Sequence, residues 1–222
     1  VKRDVVVYKQ SYWYPRHVRL FWVDEALQDA GYTYDFISGG LLGFDEAVVT
    51  DGVLAADTAG YKALIFDAQR QRDAQDIPID KISLAAIEKF VEYAEAGLPI
   101  IMVGSYPTGL FEISSEDDQA RFEAALATLQ SMDNVVLVET EADVPAALKA
   151  LGVTPDAENL EPTRVTSYHT QDEGIDYYYL YNQSNNYFEE MDVEFTSSVT
   201  HYGNTMDEGY DISTQVALEG EG

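Results

Sequence analysis

The chain has 222 residues, 46% hydrophobic and 12% aromatic, enough to pack one large domain or an ordinary domain plus a smaller module, and too apolar for a disordered tail. Thirteen Lys and Arg against 40 Asp and Glu give a formal charge of −27, a field that repels phosphate backbones, so nucleic acid is excluded as a partner. The absence of Cys removes disulfides, thiolate metal sites and Cys nucleophiles, and no run reaches the ~18 to 20 apolar residues of a spanning helix, so no membrane partner is expected.

Taken in chain order, short apolar runs alternate with helix-length amphipathic stretches. Asp4-Val5-Val6-Val7-Tyr8 is a buried-strand pattern bounded by charge. Residues 18–30 read as a helix closed by Gly31, and Tyr34-Asp35-Phe36-Ile37 supplies a second strand running into Ser38-Gly39-Gly40. After a loop, Ala63-Leu64-Ile65-Phe66-Asp67 has the continuous apolar character of a strand covered on both faces. Leu84, Ile87, Phe90, Val91 and Ala94 then fall on one helical face, with Gly97 at the C-cap, and lead into the strand Ile100-Ile101-Met102-Val103-Gly104. Ser115 caps a helix with Glu116, Asp117 and Asp118 in its first turn and Phe122, Leu126 and Leu129 facing inward. Val135-Val136-Leu137-Val138 is a fifth strand, and a last helix starts near Asp143 with Pro145 in its first turn and ends at Gly152.

Five strand-helix alternations imply an α/β domain over 1–152: a Rossmann- or flavodoxin-like, doubly wound, five-stranded parallel sheet with right-handed crossovers. Residues 153–163 carry two prolines and no periodicity and read as a linker. Residues 164–222 hold half of the tyrosines and a single basic residue, Arg164. Within them Arg164 to Thr170 and Ile175 to Tyr181 flank Gln171-Asp172-Glu173-Gly174 as a hairpin, and Met191 to Thr196 alternates as a strand with one wet face. This predicts a small antiparallel β module, a partial sandwich too short to bury much core by itself, and therefore a piece of something longer.

In open α/β sheets ligands sit at the carboxyl ends of the strands, near the switch in strand order. That rule selects Tyr12, Trp13, Ser38, Asp67 and Ser105 as candidate substrate-binding residues, set against ordinary turn chemistry at the same positions. Gly39-Gly40 lacks the spacing of a dinucleotide fingerprint, and Gly104-Ser105-Tyr106-Pro107-Thr108-Gly109 is followed by Leu110-Phe111 rather than Lys-Ser/Thr, so it is no Walker loop. Ser105 follows the fourth strand but lacks a Gly-x-Ser-x-Gly setting, and His17, His169 and His201 are dispersed. Asp207, Glu208 and Asp211 could offer oxygens to Ca²⁺, but a solvated acidic loop is the plainer reading, so no metal is assigned. Among 40 acidic residues no glycosidase pair can be singled out. Tyr177-Tyr178-Tyr179-Tyr181 suits packing between a sheet and another domain better than sugar stacking.

Three stretches carry a resemblance: Tyr61 to Ile65 with Ala96 to Gly104; Asp4 to Pro15 with Gly31 to Phe36; and Val165 to Asn182. Together they resemble the large bacterial glycoside hydrolases of the α-L-rhamnosidase type, family 106. The resemblance implies a domain like that of class I glutamine amidotransferases, placed after a catalytic (β/α)8 barrel and before β-sandwich modules. It implies that the acid, base and metal-binding residues sit on the barrel, so no catalytic residue is carried over and no cofactor is expected. Where the family tends to carry a basic residue after the His, this chain has Thr170. The amidotransferase reaction needs a Cys nucleophile, which is missing here, so only architecture can be shared.

Three functions follow. The first is a non-catalytic structural and interdomain module of a glycoside hydrolase, partnered by the remaining domains of its parent, with a homo-oligomer contact left open. The second is a stand-alone carbohydrate-binding module using Tyr12, Trp13 and the Tyr-rich hairpin. The third is a Ser105-dependent hydrolase. Extracellular or surface action is implied by the resemblance and the acidity.

Overall fold

The computed structural model describes residues 1–9, 26–68, 80–112, 115–159, 165–172, 174–182, 192–195 and 215–217. In chain order the elements are β1 (Val5–Lys9), α1 (Ala26–Asp29), β2 (Tyr34–Ser38), β3 (Val49–Thr50), β4 (Val53–Leu54), β5 (Ala63–Asp67), β6 (Lys81–Ile82), α2 (Leu84–Glu95), β7 (Ile100–Val103), β8 (Gly109–Leu110), α3 (Glu116–Gln130), β9 (Val135–Val138) and α4 (Val144–Ala150). The remainder are β10 (Ala157–Asn159), β11 (Val165–Asp172), β12 (Ile175–Asn182), β13 (Asp192–Phe195) and β14 (Gln215–Ala217).

Five strands form one parallel sheet in the order β2-β1-β5-β7-β9, the flavodoxin-like winding expected from the alternation of strands and helices. The order reverses between β1 and β5, whose registers align Val5 with Ala63 and Val7 with Ile65. Every residue of β5 and β7 is buried, which is why these runs are apolar without interruption. Strand periodicity divides them between two cores. Val6, Tyr8, Leu64, Phe66, Ile100 and Met102 meet Ile87 and Phe90 of α2 and Phe122 and Leu129 of α3. Val5, Val7, Ala63, Ile65, Ile101 and Val103 meet Leu27 of α1 and Val144 and Leu148 of α4. Tyr8 and Phe90 pack edge to face at 5.1 Å beside Phe66, and each fully buried aromatic of this kind contributes roughly 1.5–3 kcal/mol.

Helix boundaries follow local chemistry. Ser83 accepts from the Ala86 amide to cap α2, and Gly97 at φ +91 ends it. Ser115 and Asp118 form a reciprocal capping box at α3, and Pro145 sits in the first turn of α4. The helix read over 18–30 is seen at α1; residues 18–25 lie outside the described residues.

Local signals also explain two departures. The segment read as a loop after β2 holds a hairpin, β3–β4, around Asp51-Gly52, whose φ values of +51 and +77 suit the primed two-residue turn that Asp-Gly favours. In β11–β12 the ladder runs on to Asp172 opposite Ile175, so Gln171 and Asp172 belong to a strand rather than to the loop, with Gly174 at φ +79 in the tight turn. In the region read as a linker, Val153, Pro155 and Ala157 are buried, and β10 pairs antiparallel with β13, which pairs in parallel with β14. The seam between α1 and β10 is tight, since a Cβ on Gly31 (φ +95) would stand 2.0 Å from the Ala157 carbonyl oxygen.

Candidate functional site

A parallel sheet gathers all its strand starts on one edge, and here that edge is polar. Asp4 precedes β1, Thr33 precedes β2 and Lys62 precedes β5. Asp4 is fully buried; its Oδ2 accepts from the Thr33 amide at 2.9 Å and hydroxyl at 2.8 Å, and its Oδ1 accepts from the Asp156 amide at 2.8 Å and Lys62 Nζ at 3.1 Å. Lys62 Nζ also donates to the Thr154 carbonyl at 3.1 Å and to the Asp156 carboxylate. Asp156 Oδ2 lies 2.5 Å from His169 Nδ1, and His169 Nε2 lies 2.7 Å from Asp176 Oδ1, which accepts as well from Gln171 Nε2 at 3.1 Å. The His169 ring stacks on Tyr178 at 4.3 Å and 11°.

This chain of contacts fastens the β11–β12 hairpin to the α/β layer. The Lys2 amide donates to the His169 carbonyl at 2.9 Å, and the Arg3 guanidinium sits 4.5 Å over the Tyr168 ring while its Nε meets Asp35 at 3.3 Å. Burial pushes the Asp4 carboxyl above its ordinary value, opposed by the Lys62 charge and reinforced by Asp156. Burial works against the Lys62 ammonium, but the Asp4 and Asp156 carboxylates outweigh it and hold Lys62 above the usual lysine range. Burial also opposes the Asp156 anion, yet hydrogen bonds and charge from Lys62 and His169 hold that carboxyl below its usual range. Beside this hub, Asp51, Gly52, Lys62, Gly97, Gly152 and Thr154 help line a cleft of about 330 Å³.

The sequence-selected residues lie at the opposite edge. Ser38 ends β2 opposite Lys9; Asp67 ends β5, buried, opposite Val103; Ser105 follows β7 across Gly104, whose amide donates to Val138 O at 2.9 Å. At the usual strand spacing Asp67 sits two strands from Ser38, roughly 10 Å, and one from Ser105, roughly 5 Å. Gly39 approaches the Tyr8 hydroxyl so closely that a Cβ would stand 3.3 Å from it. Tyr12, Trp13, His17, His201, Asp207, Glu208 and Asp211 lie outside the described residues. His169 is held at the amino edge, roughly a strand length of 15 Å from Ser105, and so is not placed to serve as its base. The outer face of the hairpin presents Tyr168, Tyr177 and Tyr179, with Tyr168 directly opposite Tyr179.

Among the described residues no group of three or more His, Asp or Glu is arranged to hold a metal ion, and no helix is long and apolar enough to cross a membrane. The hub is not legible as a site in the sequence because its members are scattered over more than 170 positions; the one local signal is a buried-strand start flanked by charge, at Asp4 and Lys62.

Fold and hub together define a Rossmann-like α/β domain clamped at its amino edge to a β hairpin. The sequence profile of glycoside hydrolase family 106, described as alpha-L-rhamnosidase, matches residues 11–201, and the chain belongs to that family. A solved rhamnosidase from Novosphingobium sp. PP1Y shares the fold at a TM-score of 0.57 and 20% identity, over 82% of this chain and 17% of that one. The chain therefore spans about one sixth of the length of that enzyme. No curated protein matches the chain.

Proposed function

We propose that this chain is a non-catalytic structural and interdomain module of an α-L-rhamnosidase-type glycoside hydrolase, partnered by the parent's other domains. The observation that carries the reading is the hub: Asp4, Lys62, Asp156, His169 and Asp176 are consumed in fastening a hairpin to a sheet. Buried polar groups tied so completely to one another specify how two pieces sit rather than turn over a substrate. The small share of the rhamnosidase that this chain spans, 17%, fits a module within a larger enzyme. The purified chain is expected to leave an aryl α-L-rhamnoside intact at micromolar protein. Turnover above buffer that disappears in Ser105→Ala would replace this reading with the hydrolase.

A second reading, carbohydrate binding, is favoured by the exposed rings of Tyr168, Tyr177 and Tyr179, since sugars stack on flat aromatic faces. Saturable rhamnose binding that is lost in Tyr179→Ala would establish it, and a flat titration of folded protein would remove it.

A further inference from the structure

The β11–β12 hairpin wears its apolar side outward. Side chains alternate across a strand, so Tyr168, Ile175, Tyr177 and Tyr179 share one face, while Ser167, His169, Gln171 and Asp176 share the other with Tyr178 and Leu180. A hairpin that covers a core turns its apolar face to the core and its polar face to water. Here the order is reversed. The polar face meets the amino edge of the sheet through His169, which is buried, and the opposite face leaves Tyr168, Tyr177 and Tyr179 exposed by 43%, 47% and 66%, with Ile175 exposed at the tip. A slip of one residue in register would turn the rings inward, and the bond from the Lys2 amide to the His169 carbonyl fixes the register against it.

The size of this face bears on what can cover it. At about 200 Å² for a whole ring, the three tyrosines expose roughly 300 Å² together, the range of the largest apolar patch on an ordinary monomer. Two separate molecules need about 800 Å² on each partner to stay together, and adding Ile175 does not close that gap. A domain on the same polypeptide needs less, because its tether holds it at an effective concentration on the order of millimolar. The solved rhamnosidase has room for one, since the part matched here is 17% of that chain. Charge bears on what the covering surface carries. Asp172 is exposed on the same face, opposite Ile175, and Arg3, the cation over the Tyr168 ring, is already paired with Asp35. With a net charge of −27 on the chain, the complement is an apolar surface edged by Arg or Lys, cations that also stack on tyrosine rings.

We infer that the outer face of β11–β12 is the seat of a neighbouring domain of the parent polypeptide, which covers Tyr168, Tyr177 and Tyr179 with an apolar surface edged by Arg or Lys. The inference rests on the module reading above and gives it a place in the molecule. The hub grips the hairpin from the sheet side, the neighbouring domain grips it from the other, and the angle of the hairpin sets the angle between the two bodies.

The test is hydroxyl-radical footprinting read by mass spectrometry on the intact parent polypeptide and on the chain alone, both dilute. Oxidation of Tyr177 and Tyr179 is expected to be lower in the parent by about fivefold or more, as rings 47% and 66% exposed become almost fully covered. Replacing both, Tyr177→Glu with Tyr179→Glu, puts acid on the seat and should raise Tyr168 oxidation in the parent to its level in the chain alone. Equal oxidation of Tyr177 and Tyr179 in the two unaltered samples overturns the inference. Protection in the chain alone that grows with its concentration, or that follows added rhamnose, overturns it too, in favour of a second copy or of a sugar. Tyr168 that stays protected in the double variant counts against it as well, and if that variant fails to fold, the unaltered pair decides. Footprinting reads contact and not turnover, so its outcome is separate from that of the aryl rhamnoside assay.

Discussion

Replacing Gly31 with Ala tests the seam that joins α1 to β10. At φ +95 an L side chain is strained by about 1 kcal/mol or more, and its Cβ would stand 2.0 Å from the Ala157 carbonyl oxygen. Restoring an ordinary contact of 3.4 Å moves that carbonyl back about 1.4 Å. The same shift pulls Asn159 from the end of α1, where its side-chain amide donates to Gln28 O at 3.2 Å and Asp29 O at 3.1 Å. At about 1 kcal/mol for each lost bond, the total comes to about 3 kcal/mol, or a fall in Tm of about 10 °C for a chain of this size. Gly152→Ala is the matched control, because Gly152 has φ +78 and no atom within 4 Å of the added Cβ, so it reports backbone strain alone. Urea denaturation of both variants gives the comparison. Equal losses in the two would refute the close approach of α1 and β10.

Lys62→Met leaves Asp4 buried without its cation and should cost about 3 kcal/mol in urea unfolding; Lys62→Met with Asp4→Asn should recover part of that loss. Phe90→Ala empties the ring position between Tyr8 and Phe66 and should cost about 3–5 kcal/mol, read by the same denaturation. Alkaline pH should unfold the chain cooperatively. Burial pushes the hydroxyl of Tyr93 up to about 12, and burial with Asp35 does the same for Tyr61, while unfolded tyrosines ionise near 10. The unfolded state therefore loses protons first, and stability present below pH 10 is lost as pH climbs toward 12, by about 1.4 kcal/mol per unit for the Tyr93 group. A urea midpoint that stays level from pH 9 to 12 would contradict this.

Much of the α/β layer is legible because each of its elements is written locally. Val5-Val6-Val7, the unbroken run Ala63 to Phe66, and the caps at Ser115 and Gly97 state their conformations within a few residues, and the structure follows them. The Asp51-Gly52 hairpin is equally local, although the segment around it reads as loop because its two strands are only two residues long. The hub is of another kind. Asp4, Thr33, Lys62, His169 and Asp176 all fall in the three stretches that carry the family resemblance, yet nothing at any one of them says that the others are near. Asp156 lies outside those stretches, in a segment whose prolines and acidic residues read as a linker, and its role appears only when parallel winding brings residues 4 and 156 together. Ser38 and Asp67 end β2 and β5, and Ser105 follows β7; topology alone fixes those positions and says nothing of whether a ligand binds there.

The span of the hub in sequence has a consequence for the order of folding. The Asp156 amide reaches Asp4 across 152 positions, whereas the sheet grows by crossovers between strands that are mostly near neighbours in the chain. Closing so long a loop is entropically the costlier step, and it is rewarded only once β1 and β5 already stand side by side. This tie between Asp156 and Asp4 thus belongs to the last stage of assembly, and it is the natural first point of release. Weakening it should speed unfolding in stopped-flow experiments and leave refolding nearly unchanged, the signature of a bond made after the rate-limiting step.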